Sequence, residues 1–550
     1  MTLNHAVSTT MQAMDRTSCL SRLLGRERYD LIVIGGGATG LGLALDAAAR
    51  GLDVALLEAQ DFAKGTSSRS TKLVHGGVRY LAQGKIGLVH EALHERATLL
   101  ANAPHLASPL PFVMPSYKRW ERPFYGLGLK MYEMLAGSRS LGPTQLLSNE
   151  RVHQLLPGVQ GAGLHGGVRY WDAQFDDARL AIALARTAQA KGAALLNYCV
   201  VTQIIHEDGR VAGVEAEDRE TGQRFRIAAG CVVNATGVWV DAVRELDAEG
   251  AQAHKPPSMV EPSQGVHLVV DASFLGGNHA LLVPKTADGR VLFAVPWLGH
   301  TVLGTTDTPR EDLAPEPRPF AEEVDFILRE AGRCLKRAPQ AADVRSIWVG
   351  LRPLVRPDSE AGGTTQAISR EHAVRKSASG LITVTGGKWT TYRAMAEDVL
   401  EHCFDAQLLP RRAAGVTEHL PLIGASIRGR SVAITQPPGE HLYGSEVEAL
   451  HDLRGASNWL WRVEGQAACG LSEAMVRFAV RHEMARTVED VLARRCRLLF
   501  LDAGLAEELA EPVAEILANE LGRAISDAEM AGFRELARAY RTLPAGDAQL

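Results

Sequence analysis

The sequence lacks the signatures of several protein classes. Its seven cysteines are scattered, with no C-x-x-C pair and no metal-type cluster, so we expect no metal site and no disulfide framework. No run of about 18 apolar residues occurs, which argues against a transmembrane helix. The N-terminal segment has no apolar core of the signal-peptide type, and we interpret residues 1–28 as a flexible tail.

An excess of positive charge is also missing. The formal charge is −5, so no overall basic field suggests nucleic acid as a partner. The 550 residues are 46% hydrophobic and 22% charged, which are ordinary globular values. This length allows two or three domains and a large core.

The sequence does contain a dinucleotide-binding βαβ unit at residues 30–58. A short apolar run at 31–34 predicts a buried parallel strand, the segment 41–50 has helical composition, and 54–57 predicts a second buried strand that ends on Glu58. Glu58 is placed to accept a hydrogen bond from a ribose hydroxyl, and its charge would repel the 2′-phosphate of NADP.

Three glycines at G-x-G-x-x-G spacing join the first strand to the helix. Gly35 allows a tight turn, Gly37 lets the backbone approach a pyrophosphate, and Gly40 lets the helix pack closely on the strand. The pyrophosphate would lie at the helix N-terminus, where free N–H groups and the helix dipole favour negative charge.

Further motifs follow along the chain. A third buried strand at 231–234 ends in Ala-Thr-Gly, a pairing with the first motif that is commoner in flavoproteins than in nicotinamide dehydrogenases. Residues 254–345 are rich in strands and predict an inserted antiparallel sheet. Residues 430–550 are mostly helical in pattern, and 478–501 predicts one continuous helix.

Residues 117–132 mix basic and aromatic side chains, including Lys118, Arg119, Trp120 and Arg122. Such a mixture suits contact with a membrane interface. It suits an ordinary half-buried surface equally well, and the sequence alone does not separate the two interpretations.

Several motifs together resemble the FAD-dependent glycerol-3-phosphate dehydrogenase family, the respiratory enzyme. The motifs are the glycine fingerprint with Glu58, Thr66-Ser67-Ser68, the run from His75 to Leu81 (HGGVRYL), Val233 to Gly237 (VNATG), Gly350 to Leu354 (GLRPL) and Thr385 to Arg393 (TGGKWTTYR). The resemblance extends from about Tyr29 to beyond Leu501, and Arg486 to Arg495 looks like the C-terminal helical domain of that family.

The resemblance implies an α/β fold with a Rossmann-type FAD-binding domain, an inserted antiparallel-sheet substrate domain and a C-terminal all-helical domain. We assign 29–420 to the oxidoreductase domain and 421–550 to a C-terminal helical cap. Within the former, 29–90, 165–245 and 346–405 form the FAD part, and 91–164 and 246–345 form the substrate part.

The family oxidises sn-glycerol 3-phosphate to dihydroxyacetone phosphate by hydride transfer to FAD, and passes electrons to membrane quinone. Such a reaction needs a base for the hydroxyl proton and cations for the phosphate. The resemblance implies His267 as the base, a task that suits a histidine of ordinary pKa. The implied phosphate ligands are Arg79, Arg352 and Arg370.

The resemblance also implies catalytic roles for Lys388 and Tyr80. Lys388 either polarises the substrate hydroxyl or stabilises the negative charge of the reduced flavin, and the sequence does not separate these roles. The residues expected to bind FAD are Gly35, Gly37, Gly40, Glu58, Thr66, Ser67, Ser68, Lys72, His75, Gly76, Ala235, Gly237, Gly386, Gly387 and Lys388.

The expected partners are sn-glycerol 3-phosphate, quinone and a second copy of the chain, without nucleic acid. We expect a cytoplasmic protein attached peripherally to the inner face of the cell membrane, because the D-x-D-x-D-G calcium loop of the mitochondrial relatives is absent. Alternatives are a glycerol-3-phosphate oxidase that uses oxygen, another FAD enzyme acting on a hydroxy acid or amine, and a flavin-binding scaffold without turnover.

Overall fold

Two large sheets organise the part of the chain that the structure describes. The computed structural model describes residues 14–82, 84–286, 289–356, 371–426 and 432–544. Its strands are β1 (Arg28–Ile34), β2 (Val54–Leu57), β3 (Leu73–Val74), β4 (Ala107–Pro115), β5 (Gln145–Leu147), β6 (Gly167–Phe175), β7 (Ala194–Leu196), β8 (Cys199–Glu207), β9 (Arg210–Asp218), β10 (Arg224–Asn234), β11 (Val260–Asp271), β12 (Ala280–Val283), β13 (Leu292–Trp297), β14 (His300–Gly304), β15 (Thr308–Pro309), β16 (Ser346–Val355), β17 (His372–Lys376), β18 (Ile382–Gly386), β19 (Trp459–Arg462) and β20 (Gly470–Ser472).

The helices cover the sheets and form most of the C-terminal segment. They are α1 (Arg16–Leu24), α2 (Ala38–Ala49), α3 (Val78–Ala82), α4 (Ile86–Asn102), α5 (Glu121–Ala136), α6 (Asn149–Leu155), α7 (Asp177–Ala190), α8 (Val240–Gly250), α9 (Ala321–Cys334), α10 (Tyr392–Asp405), α11 (Val447–His451), α12 (Glu473–Glu483), α13 (Leu498–Leu501), α14 (Ala503–Glu508), α15 (Ala510–Leu521) and α16 (Asp527–Arg541). No helix among the described ranges is long and apolar enough to cross a membrane.

The first sheet is built around β1, whose apolar residues are buried as expected of a central parallel strand. The strand order is β17-β18-β10-β1-β2-β7, and β1 pairs in parallel with both β2 and β10. Since β10 also pairs in parallel with β18, the carboxyl ends of these strands share one edge. The order reverses between β1 and β10, where doubly wound sheets bind ligands.

The second sheet has the order β15-β11-β14-β13-β12-β4-β6-β3, with β16 beside β11 and β5 beside β6. Its pairs are antiparallel except β4 with β12. The predicted antiparallel sheet is thus confirmed. The predicted partition is wrong at its boundaries, however, because β3, β6 and β16 had been assigned to the FAD part. Ten residues of β16 pair with β11, and this pairing places β16 in the second sheet.

The prediction of a flexible tail at 1–28 is wrong from residue 14 onward. Residues 16–24 form α1, which is capped by Asp15 and buries Cys19 and Leu23. Arg16 lies in a buried ion pair with Asp218 at 2.5 Å. A composition poor in apolar residues concealed this helix, which is attached through the ion pairs of Arg16 and through two buried apolar side chains. Residues 1–13 lie outside the described residues.

The C-terminal segment is mostly helical from residue 473 onward, and it also contains the antiparallel pair β19–β20. The single helix predicted at 478–501 is wrong. The chain leaves α12 at Met484 (φ 52°), forms a π-helical turn at Asp490–Arg495 and re-enters a helix at Leu498. Through this distortion the adjacent Arg494 and Arg495 both donate to the buried carboxylate of Asp61.

Candidate active site

A cavity of about 1550 Å³ lies at the carboxyl ends of β1, β10 and β18 and extends to the second sheet. This volume exceeds the roughly 300–1,000 Å³ of most small-ligand pockets. The cavity therefore has room for a dinucleotide together with a small substrate.

The glycine fingerprint forms the turn between β1 and α2. Gly35 has φ +110°, which favours glycine, and a Cβ on Gly40 would lie 1.9 Å from the carbonyl oxygen of Gly35. Gly37 precedes α2 without a side-chain cap and lines the cavity with Ala38. The helix therefore presents backbone N–H groups and its positive dipole end to the cavity, as a pyrophosphate requires.

Glu58 follows β2 and lines the same cavity. Its carboxylate accepts hydrogen bonds from Gly36 N at 2.6 Å and from Gln60 N at 2.8 Å. Burial raises the pKa of Glu58, while these two donors oppose the rise. The side chain is thereby fixed beside the fingerprint turn, and each oxygen has a second lone pair available for a ribose hydroxyl.

The loop carrying Thr66, Ser67 and Ser68 runs beside the turn. Ser67 Oγ accepts a hydrogen bond from Ala38 N at 2.9 Å, and Thr66 Oγ1 donates to the carbonyl of Leu351 at 2.6 Å. Both residues line the cavity, whereas Ser68 is buried and does not. Ser68 thus lies outside the lining of the cavity, and its contact with the cofactor stays a prediction.

Lys72 and Gly76, which are also expected to contact the cofactor, lie outside the lining of the cavity. Lys72 is fully buried and pairs with Asp177 at 2.7 Å. Gly76 is buried, and its N–H donates to the Tyr132 hydroxyl at 2.8 Å. Neither residue lines the cavity, whereas His75 does. Asp177 of α7 holds Lys72 in the interior, and Tyr132 of α5 occupies the space beside Gly76.

The ends of β10 and β18 supply a second wall. Ala235, Gly237, Gly386 and Gly387 line the cavity, and the three glycines have positive φ angles. Thr385 Oγ1 donates to the carbonyl of Gly237 at 3.0 Å and connects the two turns. The backbone can therefore approach a flat ring closely from this wall.

His267 enters the cavity from β11. Its Nε2 lies 3.0 Å from Thr71 Oγ1, and its ring stacks on Trp348 with centroids 5.1 Å apart. Burial, followed by the charges of Lys72 and Arg352, lowers the pKa of His267 well below its ordinary value. The expectation of an ordinary pKa is thus wrong, and the imidazole is neutral at pH 7. A neutral imidazole is the form that accepts a proton.

Arg352 enters from β16 and is rigidly held. Its guanidinium donates to Asp307 Oδ1 at 3.2 Å, to the carbonyl of Thr306 at 2.9 Å and to Thr305 Oγ1 at 3.1 Å. The side chain keeps 21% of its surface exposed and lines the cavity with His267. A fixed guanidinium beside a neutral imidazole suits an anionic substrate whose hydroxyl proton has to be removed.

Lys388 and Tyr80 also line the cavity. Lys388 Nζ lies 3.8 Å from the centroid of the Tyr80 ring. Arg79 is in α3 next to Tyr80, but its side chain and all of Arg370 lie outside the described part of the chain. The structure therefore brings His267, Arg352, Lys388 and Tyr80 into one cavity.

Sequence reasoning missed residues that hold these groups in place. Thr71 and Trp348 hold His267, and Asp307 pairs with Arg352. Thr71 continues the hydroxyl-rich run at 66–70, a signal that could have included it. Asp307 and Trp348 carry no such signal, because their roles depend on strand pairing.

Comparisons with known proteins agree with this geometry. Residues 30–397 match the family model for FAD dependent oxidoreductases, and residues 415–528 match that for the C-terminal domain of alpha-glycerophosphate oxidase. The mitochondrial glycerol-3-phosphate dehydrogenase of Homo sapiens is 40% identical over 92% of this chain and 72% of its own length. The enzyme of Schizosaccharomyces pombe is 36% identical over 92% and 86%, respectively.

Solved structures agree as well. The glycerol-3-phosphate dehydrogenase from Bacillus halodurans complexed with FAD superposes with a TM-score of 0.74 at 31% identity, covering 96% of this chain and 98% of that one. The L-alpha-glycerophosphate oxidase from Mycoplasma pneumoniae, at 17% identity and a TM-score of 0.53 over 72% of this chain and 99% of that one, shares the fold. The fingerprint turn, the glycine-lined second wall and these matches show that the chain belongs to the FAD-dependent glycerol-3-phosphate dehydrogenase family.

Proposed function

We propose that this protein oxidises sn-glycerol 3-phosphate to dihydroxyacetone phosphate and delivers the electrons to a membrane quinone. The observation that carries the proposal is the meeting of His267, Arg352 and Lys388 in the cavity that the glycine fingerprint also lines. The names of the relatives agree with this substrate. When bound, FAD supplies a two-electron acceptor for the hydrogen on carbon 2 of the substrate.

Arg352 binds the substrate phosphate in this proposal. Its guanidinium is already oriented by Asp307 and by the carbonyl of Thr306, so little side-chain entropy is lost when an anion binds. A charge-assisted hydrogen bond contributes roughly 1.5–3 kcal/mol. Lys388, which lines the same cavity, stabilises negative charge that develops during oxidation.

His267 takes the hydroxyl proton. Its low pKa keeps the imidazole unprotonated at neutral pH, and stacking on Trp348 fixes the ring plane. The hydrogen bond between Thr71 Oγ1 and Nε2 fixes the orientation of the ring within that plane. A base held in this way gains from orientation rather than from high basicity.

Helix α5 supports quinone, rather than oxygen, as the electron acceptor. Large apolar side chains form a stripe along one face at spacings of three and four residues, and they are exposed: Trp120, Phe124, Leu127, Met131 and Met134. Leu127 is 69% exposed, which does not fit a half-buried surface. Phe124, Leu127 and Met131 also line the cavity. A lipid-soluble acceptor would thus reach the cavity directly from a bilayer.

Two cations lie at the N-terminal end of this apolar stripe. Lys118 and Arg119 are exposed just before α5, where they would meet anionic headgroups. We therefore propose peripheral attachment through this face, on the cytoplasmic side of the cell membrane. The homodimer also stays a prediction, which a measurement of the molar mass in solution would test.

An anaerobic absorbance titration with sn-glycerol 3-phosphate tests the proposed reaction. We expect the visible flavin band of the purified protein to bleach and the band to return when quinone is added. Bleaching followed by fast reoxidation in air, but not by quinone, would identify an oxidase instead. A band that stays oxidised would exclude this substrate and leave a hydroxy acid or amine to be tested.

A further inference from the structure

A buried charge cluster lies behind the cavity, between α7 and the C-terminal segment. Lys72 Nζ donates to Asp177 Oδ2 at 2.7 Å, and Arg497 Nη2 donates to Asp177 Oδ1 at 3.0 Å. Both cations also donate to the carbonyl of Ser68, at 2.7 and 2.8 Å. All three charged side chains are without exposed surface. The loop at residues 68–72 is therefore fixed by charges from two other parts of the chain.

Two contacts connect this cluster to His267. Thr71 immediately precedes Lys72 and is hydrogen-bonded to His267 Nε2 at 3.0 Å. Trp348 stacks on the His267 ring, and its ring centroid lies 5.2 Å from Lys72 Nζ. A displacement of Lys72 would therefore disturb both groups that hold the imidazole.

The C-terminal segment completes the arrangement. Arg497 has a positive φ angle of 69°, and its guanidinium lies 4.3 Å from the centroid of the Phe500 ring. Phe500 in turn contacts Trp348 edge to face, with centroids 5.4 Å apart. Residues 497–500 thus support the hydroxyl loop and the indole at the same time.

We propose that Lys72, fixed by Asp177 and Arg497, is a positioning residue for His267, and that it keeps the imidazole oriented and uncharged for proton abstraction. This inference rests on the proposed function, in which His267 is the base. It gives the C-terminal segment a part in the chemistry without contact with the substrate. It also gives Lys72 a role different from the cofactor contact expected from the sequence.

The electrostatics agree with the geometry. Burial is the largest cause of the low pKa of His267, and the positive charges of Lys72 and Arg352 follow. Burial lowers the pKa of Lys72 to about 7, and Asp177 opposes this shift. Lys72 is hence charged below about pH 7, which is the range where His267 would otherwise gain a proton. The other charged groups around this pair are Asp176, Asp177, Asp307 and Arg497.

The variants Lys72→Met and Lys72→Arg test this inference. The measurement is the rate constant of flavin reduction at saturating sn-glycerol 3-phosphate, recorded by anaerobic stopped flow from the lowest pH at which the protein stays folded up to pH 8. Without the Lys72 charge, the pKa of His267 rises, so the acidic limb of the profile moves up by about one pH unit. Below that limb the rate falls about tenfold relative to the wild type. Lys72→Arg keeps the charge and should keep the position of the limb.

Asp177→Asn provides a second test of the same charge. The Asp177 carboxylate opposes the low pKa of Lys72, so its removal should leave Lys72 uncharged over more of the range and should also move the limb upward. Arg538→Ala changes an exposed pair on α16 and should leave the profile as in the wild type. Equal profiles for Lys72→Met and Lys72→Arg, or a uniform loss in both Lys72→Met and Asp177→Asn, would overturn the inference. A wild-type flavin that sn-glycerol 3-phosphate does not reduce would instead overturn the proposed function, and the inference with it.

Discussion

The two walls of the cavity differ in the part of the chain that they present. The first sheet contributes mainly backbone, namely the N-terminus of α2, the turn at Gly35–Gly40 and the paired turns at Gly237 and Gly387, and it adds the side chains of Glu58 and Lys388. The second sheet contributes side chains, namely His267 and Arg352. Backbone recognition suits a cofactor with a pyrophosphate and a flat ring, whereas side chains suit a small substrate whose phosphate and hydroxyl need charge and a base.

Because the two walls are built differently, substitutions in them should have different effects on cofactor binding and on the reaction. A defect in the first wall should remove the cofactor and leave the fold, because the turn is rigid and has no substitute. A defect in the second wall should leave the cofactor bound and weaken the reaction. Two substitutions separate these outcomes, and a third change tests the membrane contact outside both walls.

Gly40→Ala should have the largest effect. Its Cβ would lie 1.9 Å from the Gly35 carbonyl, so the turn and α2 must separate, at a cost of about 1–3 kcal/mol or more. We expect most of the flavin to be lost on purification, as measured by the ratio of visible to ultraviolet absorbance. Gly532→Ala on α16, where a Cβ meets nothing within 4 Å, is the control. Full flavin content in Gly40→Ala would contradict a backbone-built cofactor wall.

Arg352→Ala should lower kcat/KM for sn-glycerol 3-phosphate roughly 100-fold or more, because the phosphate loses charge-assisted hydrogen bonds. The flavin should remain bound, and most of the change should appear in KM. Steady-state kinetics together with the flavin spectrum test this prediction. Arg226→Ala, which changes an exposed pair on the first sheet, serves as the control. Normal substrate affinity would remove Arg352 from the proposed phosphate site.

The double change Lys118→Gln with Arg119→Gln should have the smallest effect and lie outside both walls. Each cation near an anionic surface contributes about 1 kcal/mol, so binding to anionic vesicles should weaken roughly 30-fold. Turnover with a water-soluble quinone should not change. Co-sedimentation with vesicles measures the partition, and Lys255→Gln, at a distant exposed lysine, is the control. An unchanged partition would exclude these cations from the membrane contact.

Local patterns in the sequence predicted the first wall well. The strand, the three glycines and Glu58 lie within one stretch of the chain, and their turn geometry depends mainly on residues close in sequence. The same reasoning placed a strand-rich insertion and a helical C-terminal segment correctly. It did not find that β6 and β16 belong to the second sheet, because strand partners distant in sequence decide that assignment.

Tertiary structure alone decided the role of Lys72 and the interruption of the helix predicted at 478–501. Lys72 resembles a cofactor ligand in sequence, yet Asp177 draws it into the interior. The apolar spacing beyond Met484 predicts a helix, yet Asp61 attracts two adjacent arginines and distorts it. A buried charge needs an oppositely charged partner, which the fold can bring from any part of the chain. The periodicity of apolar residues along the chain does not show which distant residue will be the partner of a buried charge. The sequence by itself therefore determined the family, the cofactor and the fingerprint turn, and the tertiary structure determined which charges face the cavity and which support it from behind.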